Sequence, residues 1–374
     1  LLSFTGAAVH QKAMGLASKA SGSFALALAV GLGYMGVHRE DAWYRLTTTV
    51  TAAYEIALMP EEKLKRFLLS YAMFEKDQFV GDPSETGLLT DYYSVLNHLC
   101  AIGNFEKMYL PPLYDLQKDV YGNQKVYERK MADFLGIGPG SKVADIGCGR
   151  GRIAHHVASY TGAHVTGLNI DTEQIRKATE YAKQTGLWQT QLDFKISDYN
   201  DPLPFEDNSL DAAYYVQVLS YSTSLVNFYK EVFRVVKPGA KVAFEDYVLG
   251  TAFNVSNSHH VELKKLYEPV LGGVETSLPS AFRAAVQKAG FKVLHHGDDS
   301  VGGRQAPLLR QERDFWLPLT SLVGLLHGAG LVPKIYFDVM ARMTAGTDAL
   351  IESDELGIVS CGYVTFAQKP LDAP

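Results

Sequence analysis

The 374-residue chain is predicted to be an α/β protein with a doubly wound, mostly parallel sheet of seven strands and helices on both faces. Three observations predict this fold class. From Ser141 to Leu249, short apolar runs alternate with amphipathic stretches, which is typical of successive β-α-β units. The first run passes through the glycine-rich loop Gly147–Gly151 into a helical stretch. Beyond Gly250 the pattern is mixed and ends in another apolar run, Ile358–Ala367, which we expect to be the last strand.

The chain divides into four predicted regions, and helical segments at both ends are expected to cover the substrate. An apolar N-terminal segment comes first, followed by a helical region in which Pro60-Glu61-Glu62 opens an amphipathic helix. A cofactor-binding core comes next, and a C-terminal cap completes the sheet. In that order, the regions are residues 1–40, 41–123, 124–250 and 251–374.

The elements of the core and the cap follow from their hydrophobic periodicity. The predicted strands of the core are the runs VADI, HVTGL, LDFKI, DAAYYV and AKVAFEDYVL, with helices between the earlier ones. In the cap, the predicted helices are Pro279–Ala289 and Pro333–Thr344, and the predicted strands are Phe291–His295 and Ile358–Ala367.

The segment Phe24–Val37 is uncharged and apolar over its 14 residues. A transmembrane helix needs roughly 20 such residues, so an interfacial helix, a buried helix or a leftover targeting segment fits better. We expect peripheral membrane contact through residues 24–37. Because the chain begins with Leu1 rather than Met, we also expect that a segment precedes it.

Composition and charge exclude several classes of partner. A net charge of −6 and a pI near 6.0 do not provide the basic surface that nucleic-acid binding requires. Cys100, Cys148 and Cys361 are isolated, which favours a reducing intracellular compartment, with the membrane of the endoplasmic reticulum or another organelle as a candidate location. Histidines occur in adjacent pairs, but adjacent residues point to different sides of an element, so we expect no metal site.

The glycine loop is the strongest functional signal. A predicted strand ends near Asp145, and Gly147, Gly149 and Gly151 alternate along the loop, with Cys148 between the first two. Glycine permits positive φ and lets the backbone approach a ligand, while the helix that follows offers free N–H groups at its start. The dinucleotide-binding fingerprint G-x-G-x-x-G is the main alternative for such a loop.

Three features further along the chain favour a methyltransferase. Asn169 ends the second strand, where this architecture places its ribose-binding side chain, and Gln174 lies one turn into the next helix. Asp198 and Tyr199 follow the third strand, where a polar contact and an aromatic face would hold adenine. Gln217 follows the fourth strand. We expect these residues to join the glycine loop in one cofactor site.

The run GAHVTGLN and the pair Gln174-Ile175 carry a family resemblance. The stretch from Gly147 to Leu187 is similar to sterol C-methyltransferases, and the similarity extends from Tyr92 to Pro370. The resemblance implies a class I methyltransferase fold, S-adenosylmethionine as cofactor, and methyl transfer to a sterol, triterpene or other lipid alkene. It also implies that Tyr92, in the tract before the core, contributes to the cofactor site.

The chain departs from that family around the methyl acceptor. In the family, the tract before the core is rich in aromatics around tryptophan and glycine, whereas here it reads Asn104–Tyr109 (NFEKMY). After the fourth strand the family has Glu and Cys-His, where this chain has Gln217 and Ser220-Tyr221. The family's Glu-Trp after the fifth strand is Asp246-Tyr247 here. Most of the residues expected to bind the cofactor match the family, whereas the residues expected around the methyl acceptor differ from it.

Methyl transfer from a sulfonium requires mainly in-line positioning. An alkene acceptor adds two needs, which are aromatic faces to stabilise a carbocation and a base to remove a proton. Candidate bases are Asp246, Glu106 and His98. The predicted catalytic residues are Asp246, Tyr247, Tyr221, Tyr109 and Glu106.

Two alternatives to lipid C-methylation stay open. A polar pocket lined by Asn104, Glu106, Lys107, Gln217 and Asp246 would suit methylation of a different small molecule at oxygen, nitrogen or sulfur. The fold would also serve a non-catalytic subunit of a larger assembly. The expected partners are a small-molecule acceptor, foremost a lipid, and either a second copy of the chain or a larger complex.

Overall fold

The computed structural model describes residues 42–75, 83–103, 107–274 and 276–373. The predicted apolar segment 24–37 and the candidate base Glu106 lie outside the described residues. Chain contacts divide the protein into two compact units, of which one is helical and the other contains the sheet.

The first unit contains described residues 42–71, 87–103 and 312–345. Its helix α2 begins directly after Pro60 and carries two glutamates in its first turn, where negative charge is favourable. Leu64 and Phe67 form part of its buried face, as the helical spacing predicts, and α2 packs against α11. The helices of this unit are α1 (Ala42–Ala57), α2 (Glu61–Ser70), most of α3 (Pro83–Ile102), most of α10 (Ala306–Gly328) and α11 (Lys334–Thr344).

The second unit contains the seven-stranded sheet, in the order β3-β2-β1-β4-β5-β7-β6. β7 runs antiparallel to both of its neighbours, β5 and β6, and every other pair of neighbouring strands is parallel. The strands are β1 (Lys142–Ile146), β2 (His164–Asn169), β3 (Leu192–Ile196), β4 (Leu210–Val216), β5 (Val236–Leu249), β6 (Lys292–Asp298) and β7 (Val359–Gln368). The other helices are α4 (Val120–Leu135), α5 (Arg152–Thr161), α6 (Thr172–Gln184), α7 (Leu225–Val235), α8 (Ser258–Leu271), α9 (Pro279–Lys288) and α12 (Thr347–Leu356). The predicted fold class is confirmed.

Helices cover both faces of the sheet, so its central strands are buried on both sides. Residues of α4, α5 and α6 share one core with Val143, and residues of α7 and α9 share the other core with Ala144. Because neighbouring residues of a strand face opposite sides, near-continuous apolar runs are needed there. This arrangement explains why the strands could be found as apolar runs.

The structure extends or adds elements where the sequence pattern was weak. Strand β5 begins at Val236, four residues before the predicted Ala240, because Val236 pairs with Leu210 before a register shift. Helices α8, α10 and α12 were not predicted. Both α8 and α10 contain an internal proline, which is usually a sign of a helix end. Within the described ranges, each helix is too short or too polar to cross a membrane.

Gly250 marks a close approach between the end of β5 and the turn before β7. Its N–H donates to the carbonyl of Ile358, and a Cβ added at Gly250 would overlap the carbonyl oxygen of Gly357. Because that obstacle is backbone, a flexible side chain cannot move aside to relieve the overlap.

Gly250→Ala should therefore lower the free energy of unfolding by about 2 kcal/mol or more, as overpacking does. Urea unfolding measures the change. Gly138→Ala is the matched control, because the nearest atom to an added Cβ there is 3.9 Å away. The control should be neutral or slightly stabilising. Equal midpoints for both variants would contradict this account of the β5 end.

Candidate active site

The glycine loop joins β1 to α5, and its three glycines meet different constraints. All three have left-handed backbone conformations, with φ of 77°, 53° and 69° at Gly147, Gly149 and Gly151. A Cβ at Gly147 would overlap Val218, and one at Gly151 would lie 2.5 Å from Phe194. At Gly149 no atom lies closer than 3.4 Å. Packing therefore requires the outer two glycines, while the space beside Gly149 has room for a Cβ at van der Waals distance from Gln174 and Met108.

Asn169, predicted to bind ribose, and Gln174, predicted to belong to the same cofactor site, lie beside that space. The Asn169 amide donates to Gln174 Oε1 at 2.6 Å, and the same oxygen is the atom nearest to a Cβ at Gly149. Asp171 holds the first turn of α6 by accepting hydrogen bonds from two backbone N–H groups. The structure thus brings together the loop glycine and both polar side chains.

Asp198 and Tyr199 follow β3, as predicted. Asp198 Oδ1 accepts a hydrogen bond from the N–H of Asn200, so this acid shapes its own turn. The Tyr199 hydroxyl donates to the carbonyl of Val218 at 2.7 Å, and its ring packs edge-on against Phe228. Tyr199 therefore joins the loop after β3 to the loop after β4.

Asp145 lies on the sheet face that carries α4, α5 and α6, and only 2% of its surface is exposed. Its Oδ2 has no hydrogen-bond partner among the described residues. Burial raises the pKa of this carboxyl to about 7, and the adjacent Tyr214 hydroxyl opposes part of that rise. Cys148, in the loop itself, is a buried free thiol.

Gln217 joins four segments at the end of β4. Its backbone has a φ of 50°, and its side chain exchanges hydrogen bonds with both the N–H and the carbonyl of Leu110. The same amide nitrogen lies 2.9 Å from Glu245 Oε1 and 2.9 Å from the carbonyl oxygen of Cys361, so its two hydrogens are shared among three acceptors. The predicted cofactor residue thus holds the chain segment 107–110 against the sheet.

A buried ion-pair network anchors the other end of that segment, and sequence reasoning missed it. Lys107 donates to both carboxylate oxygens of the fully buried Glu128, at 2.7 and 2.6 Å. His156 and the Tyr109 hydroxyl bind the same carboxylate. Burial alone would raise the pKa of Glu128, but Lys107 and His156 outweigh burial and hold the pKa below its ordinary value. Partners 21 and 28 residues from Glu128 leave no local sequence signal.

The predicted catalytic residues occupy different places. Asp246 Oδ1 accepts from the N–H of Tyr247, and Oδ2 accepts from the N–H of Leu219. Burial raises the pKa of Asp246 to about 7. The hydroxyl of Tyr221 donates to the carbonyl of Gly272. Tyr109 belongs to the Glu128 network.

Two sequence candidates lie in the helical unit. Tyr92 is buried there, with its ring stacked on Phe67 and edge-on to Tyr71. His98 is paired with Glu55 at 2.8 Å. Both side chains are therefore in contact with residues of their own unit. Their predicted functional roles stay predictions.

A cavity of about 180 Å³ lies beside Asp246. Pockets that hold whole ligands usually have about 300–1,000 Å³, so this one would accept only a part of a larger molecule. Hydroxyl groups make up much of its wall. The lining residues are Leu219, Ser220, Ser222, Thr223, Ser224, Leu225, Asp246, Tyr247, Ser277 and Phe282. In the described ranges, no three possible metal ligands cluster.

Comparison with known proteins matches this arrangement to methyltransferases. A family model described as a methyltransferase domain matches residues 144–244. Sterol 24-C-methyltransferase ERG6B of Gibberella zeae is 29% identical over 265 residues, or 65% of this chain and 69% of the relative. Sterol 24-C-methyltransferase ERG6A of the same fungus is 37% identical over 172 residues, or 46% of this chain and 45% of the relative.

A solved structure supports the same fold. The crystal structure of the [4+2]-cyclase SpnF covers 78% of this chain and 98% of its own, with 21% identity and a TM-score of 0.60. The matched domain includes the glycine loop and the ends of β1, β2 and β4. The open space at Gly149 and the unpartnered oxygen of Asp145 fit S-adenosylmethionine, which carries positive charge and hydrogen-bond donors.

Gly149→Ala should weaken S-adenosylmethionine binding by about tenfold or more, because the new methyl group occupies the open side of a strained, left-handed position. Gly151→Ala should mainly destabilise the protein, since its Cβ meets Phe194. Calorimetric titration and urea unfolding separate the two effects. Binding by Gly149→Ala at the parent affinity would show that the cofactor does not approach the loop there.

Proposed function

Since this chain is a class I S-adenosylmethionine-dependent methyltransferase similar to the sterol methyltransferases, we propose that its methyl acceptor is a sterol, a triterpene or another lipid alkene, methylated at carbon. The observation that carries this proposal is the sequence match to sterol 24-C-methyltransferases. The chain also keeps all three glycines of the loop after β1. The chain spans 45% of the length of one of these relatives, so the acceptor is inferred from kinship and tested below.

Asp246 is our proposed base. S-adenosylmethionine supplies the methyl group as an activated sulfonium. After methylation of an alkene, the cationic carbon skeleton must lose a proton, and an Asp246 oxygen would accept it as the carbon–hydrogen electron pair restores a double bond. A pKa of about 7 suits this role, because a useful fraction of the carboxyl is ionised near neutral pH.

Aromatic side chains would stabilise the cation, and Tyr247 and Tyr221 are our candidates. Tyr247 is adjacent in sequence to Asp246 and lines the same cavity, and Tyr221 is held in place by its hydrogen bond to Gly272. Cations interact favourably with aromatic faces. Glu106 and Tyr109 stay secondary candidates, since Tyr109 already donates to Glu128 and Glu106 is outside the described residues.

A second candidate function is methylation of a polar acceptor at oxygen or nitrogen. The hydroxyl-rich wall of the Asp246 cavity favours it, because Ser220, Ser222, Thr223 and Ser277 could orient a hydroxyl or amine. A buried carboxylate would then remove the proton of the acceptor itself.

We also propose that the protein meets a lipid acceptor at a membrane surface. The apolar segment 24–37 precedes a helical unit that exposes large apolar side chains, among them Leu58 (57%) and Leu325 (73%). The double variant Leu58→Glu/Leu325→Glu should float less with neutral phospholipid vesicles than the parent. Leu116→Glu, at an equally exposed leucine of the other unit, is the control. Equal flotation of all three proteins would refute the proposed contact.

A methyl-labelled cofactor distinguishes the two acceptor classes. With a lipid extract and a polar-metabolite extract offered separately, we expect label in a lipid product. Transfer only to polar metabolites would reject the lipid proposal in favour of the second candidate.

Asp246→Asn should lower the rate of label transfer by about a hundredfold or more. Activity of the parent should rise between about pH 6 and pH 8, as Asp246 loses its proton, and the variant should lack this rise. Asp211→Asn is the control, because Asp211 lies at the opposite end of β4 and binds Lys142 and Lys237. A variant with parental activity would exclude Asp246 as the base.

A further inference from the structure

Glu245 is a buried acid that the proposed reaction does not use. It precedes Asp246 on β5 and is 0% exposed. The strand register places it on the same sheet face as Asp145, because Asp145 pairs with Tyr214, Tyr214 pairs with Ala243, and Glu245 lies two residues further along. The two acids therefore face the same side at the carboxyl edge of the sheet.

Only one oxygen of Glu245 is bound. Oε1 accepts from the Gln217 amide at 2.9 Å, while Oε2 has no partner among the described residues. Buried polar atoms are nearly always hydrogen-bonded in folded proteins. This oxygen is therefore available to a partner from outside the chain, either a water molecule or a ligand.

The described titratable groups that act on Glu245 carry no positive charge. They are acids, phenols and a thiol from the surrounding elements: Asp246, Asp298, Tyr109, Tyr114, Tyr127 and Cys361. Lys107, on the adjoining segment, is engaged by the Glu128 carboxylate. An ionised Glu245 would thus be a buried charge without a counter-ion, which is strongly unfavourable.

Burial accordingly raises the pKa of Glu245 well above its ordinary value, and the nearby acids add to the rise, although the Gln217 hydrogen bond opposes it. Glu128 has a lowered pKa in the same core because Lys107 and His156 face it. The contrast between the two buried glutamates lies in the presence or absence of a cation.

A positive charge bound at the cofactor loop would lie close to Glu245. Gln217, which holds Glu245, is followed by Val218, and Val218 packs directly against Gly147. Ligands of such sheets bind outside the carboxyl ends of the strands. Strands β1 and β5 flank β4, so the loop and Glu245 are separated by about 10 Å, or two strand spacings.

We propose that Glu245 is a positioning carboxyl which is protonated in the free protein and loses its proton when the positively charged cofactor binds. The carboxyl O–H bond breaks, the proton passes to the solvent, and the carboxylate that remains favours the sulfonium over the neutral sulfur of the product, S-adenosylhomocysteine. The inference rests on the cofactor and is independent of the acceptor.

Calorimetric titration in two buffers of different ionisation enthalpy counts the protons released on binding, without any turnover. The titration is run at pH 8.5, where Asp145 and Asp246 are already ionised because the pKa of each is about 7. With S-adenosylmethionine, the parent should release up to about one proton, and with S-adenosylhomocysteine clearly less. A parent that releases no proton at this pH, or the same number with both ligands, overturns the proposal.

Glu245→Gln keeps an acceptor for Gln217 and removes the titrating group. It should abolish the release at pH 8.5 and reduce the preference for S-adenosylmethionine over S-adenosylhomocysteine by about tenfold, as the loss of one short-range charge interaction would. The control variant is Asp211→Asn, which changes a residue at the opposite end of the parallel strands, and it should release protons as the parent does. Release that persists in Glu245→Gln assigns the proton to another group and overturns the proposal, while the parent titration stands if the variant fails to fold.

Discussion

Burial of carboxyl groups without counter-ions is the constraint on which this site depends. At the carboxyl edge of the sheet, Asp145, Glu245 and Asp246 are almost fully enclosed, and their pKa values are raised because a buried charge without a partner is costly. Glu128 shows the alternative, since Lys107 and His156 keep it ionised. Glu128 therefore holds segment 107–110 in place, whereas the acids without counter-ions are those that we propose for the reaction and for the cationic cofactor.

The ion-pair network around Glu128 also fixes the chain segment before the core that differs from the sterol methyltransferases. Lys107 and Tyr109 bind Glu128, and Leu110 is bound by Gln217 through both its N–H and its carbonyl. Segment 107–110 is thereby fixed at both ends without the aromatic run of the sterol methyltransferases. The cofactor half of the fold can be retained while the residues around the acceptor change.

Much of the fold could be predicted, because strands buried on both faces must be apolar runs and the turn into α5 must contain glycine. The proximity of Gly149, Asn169 and Gln174 could also be predicted, because the carboxyl ends of neighbouring parallel strands meet at one edge of the sheet. Helix α10 could not be predicted, because it contains Pro318, and a proline usually indicates a helix end. The role proposed for Glu245 could not be predicted either. It depends on an oxygen without a partner among the described residues and on groups such as Cys361, which lies more than a hundred residues away in sequence.

The pH dependence of stability tests the central claim most directly. An acid whose pKa is raised on folding, from 3.8 to about 7 for Asp145, contributes stability at low pH that is lost as the pH rises through that interval. Relative to Asp145→Asn, the ligand-free parent should therefore lose free energy of unfolding between about pH 4 and pH 7, and saturating S-adenosylmethionine should reduce this loss. A difference between parent and variant that stays constant over this interval, with and without the cofactor, would contradict the account.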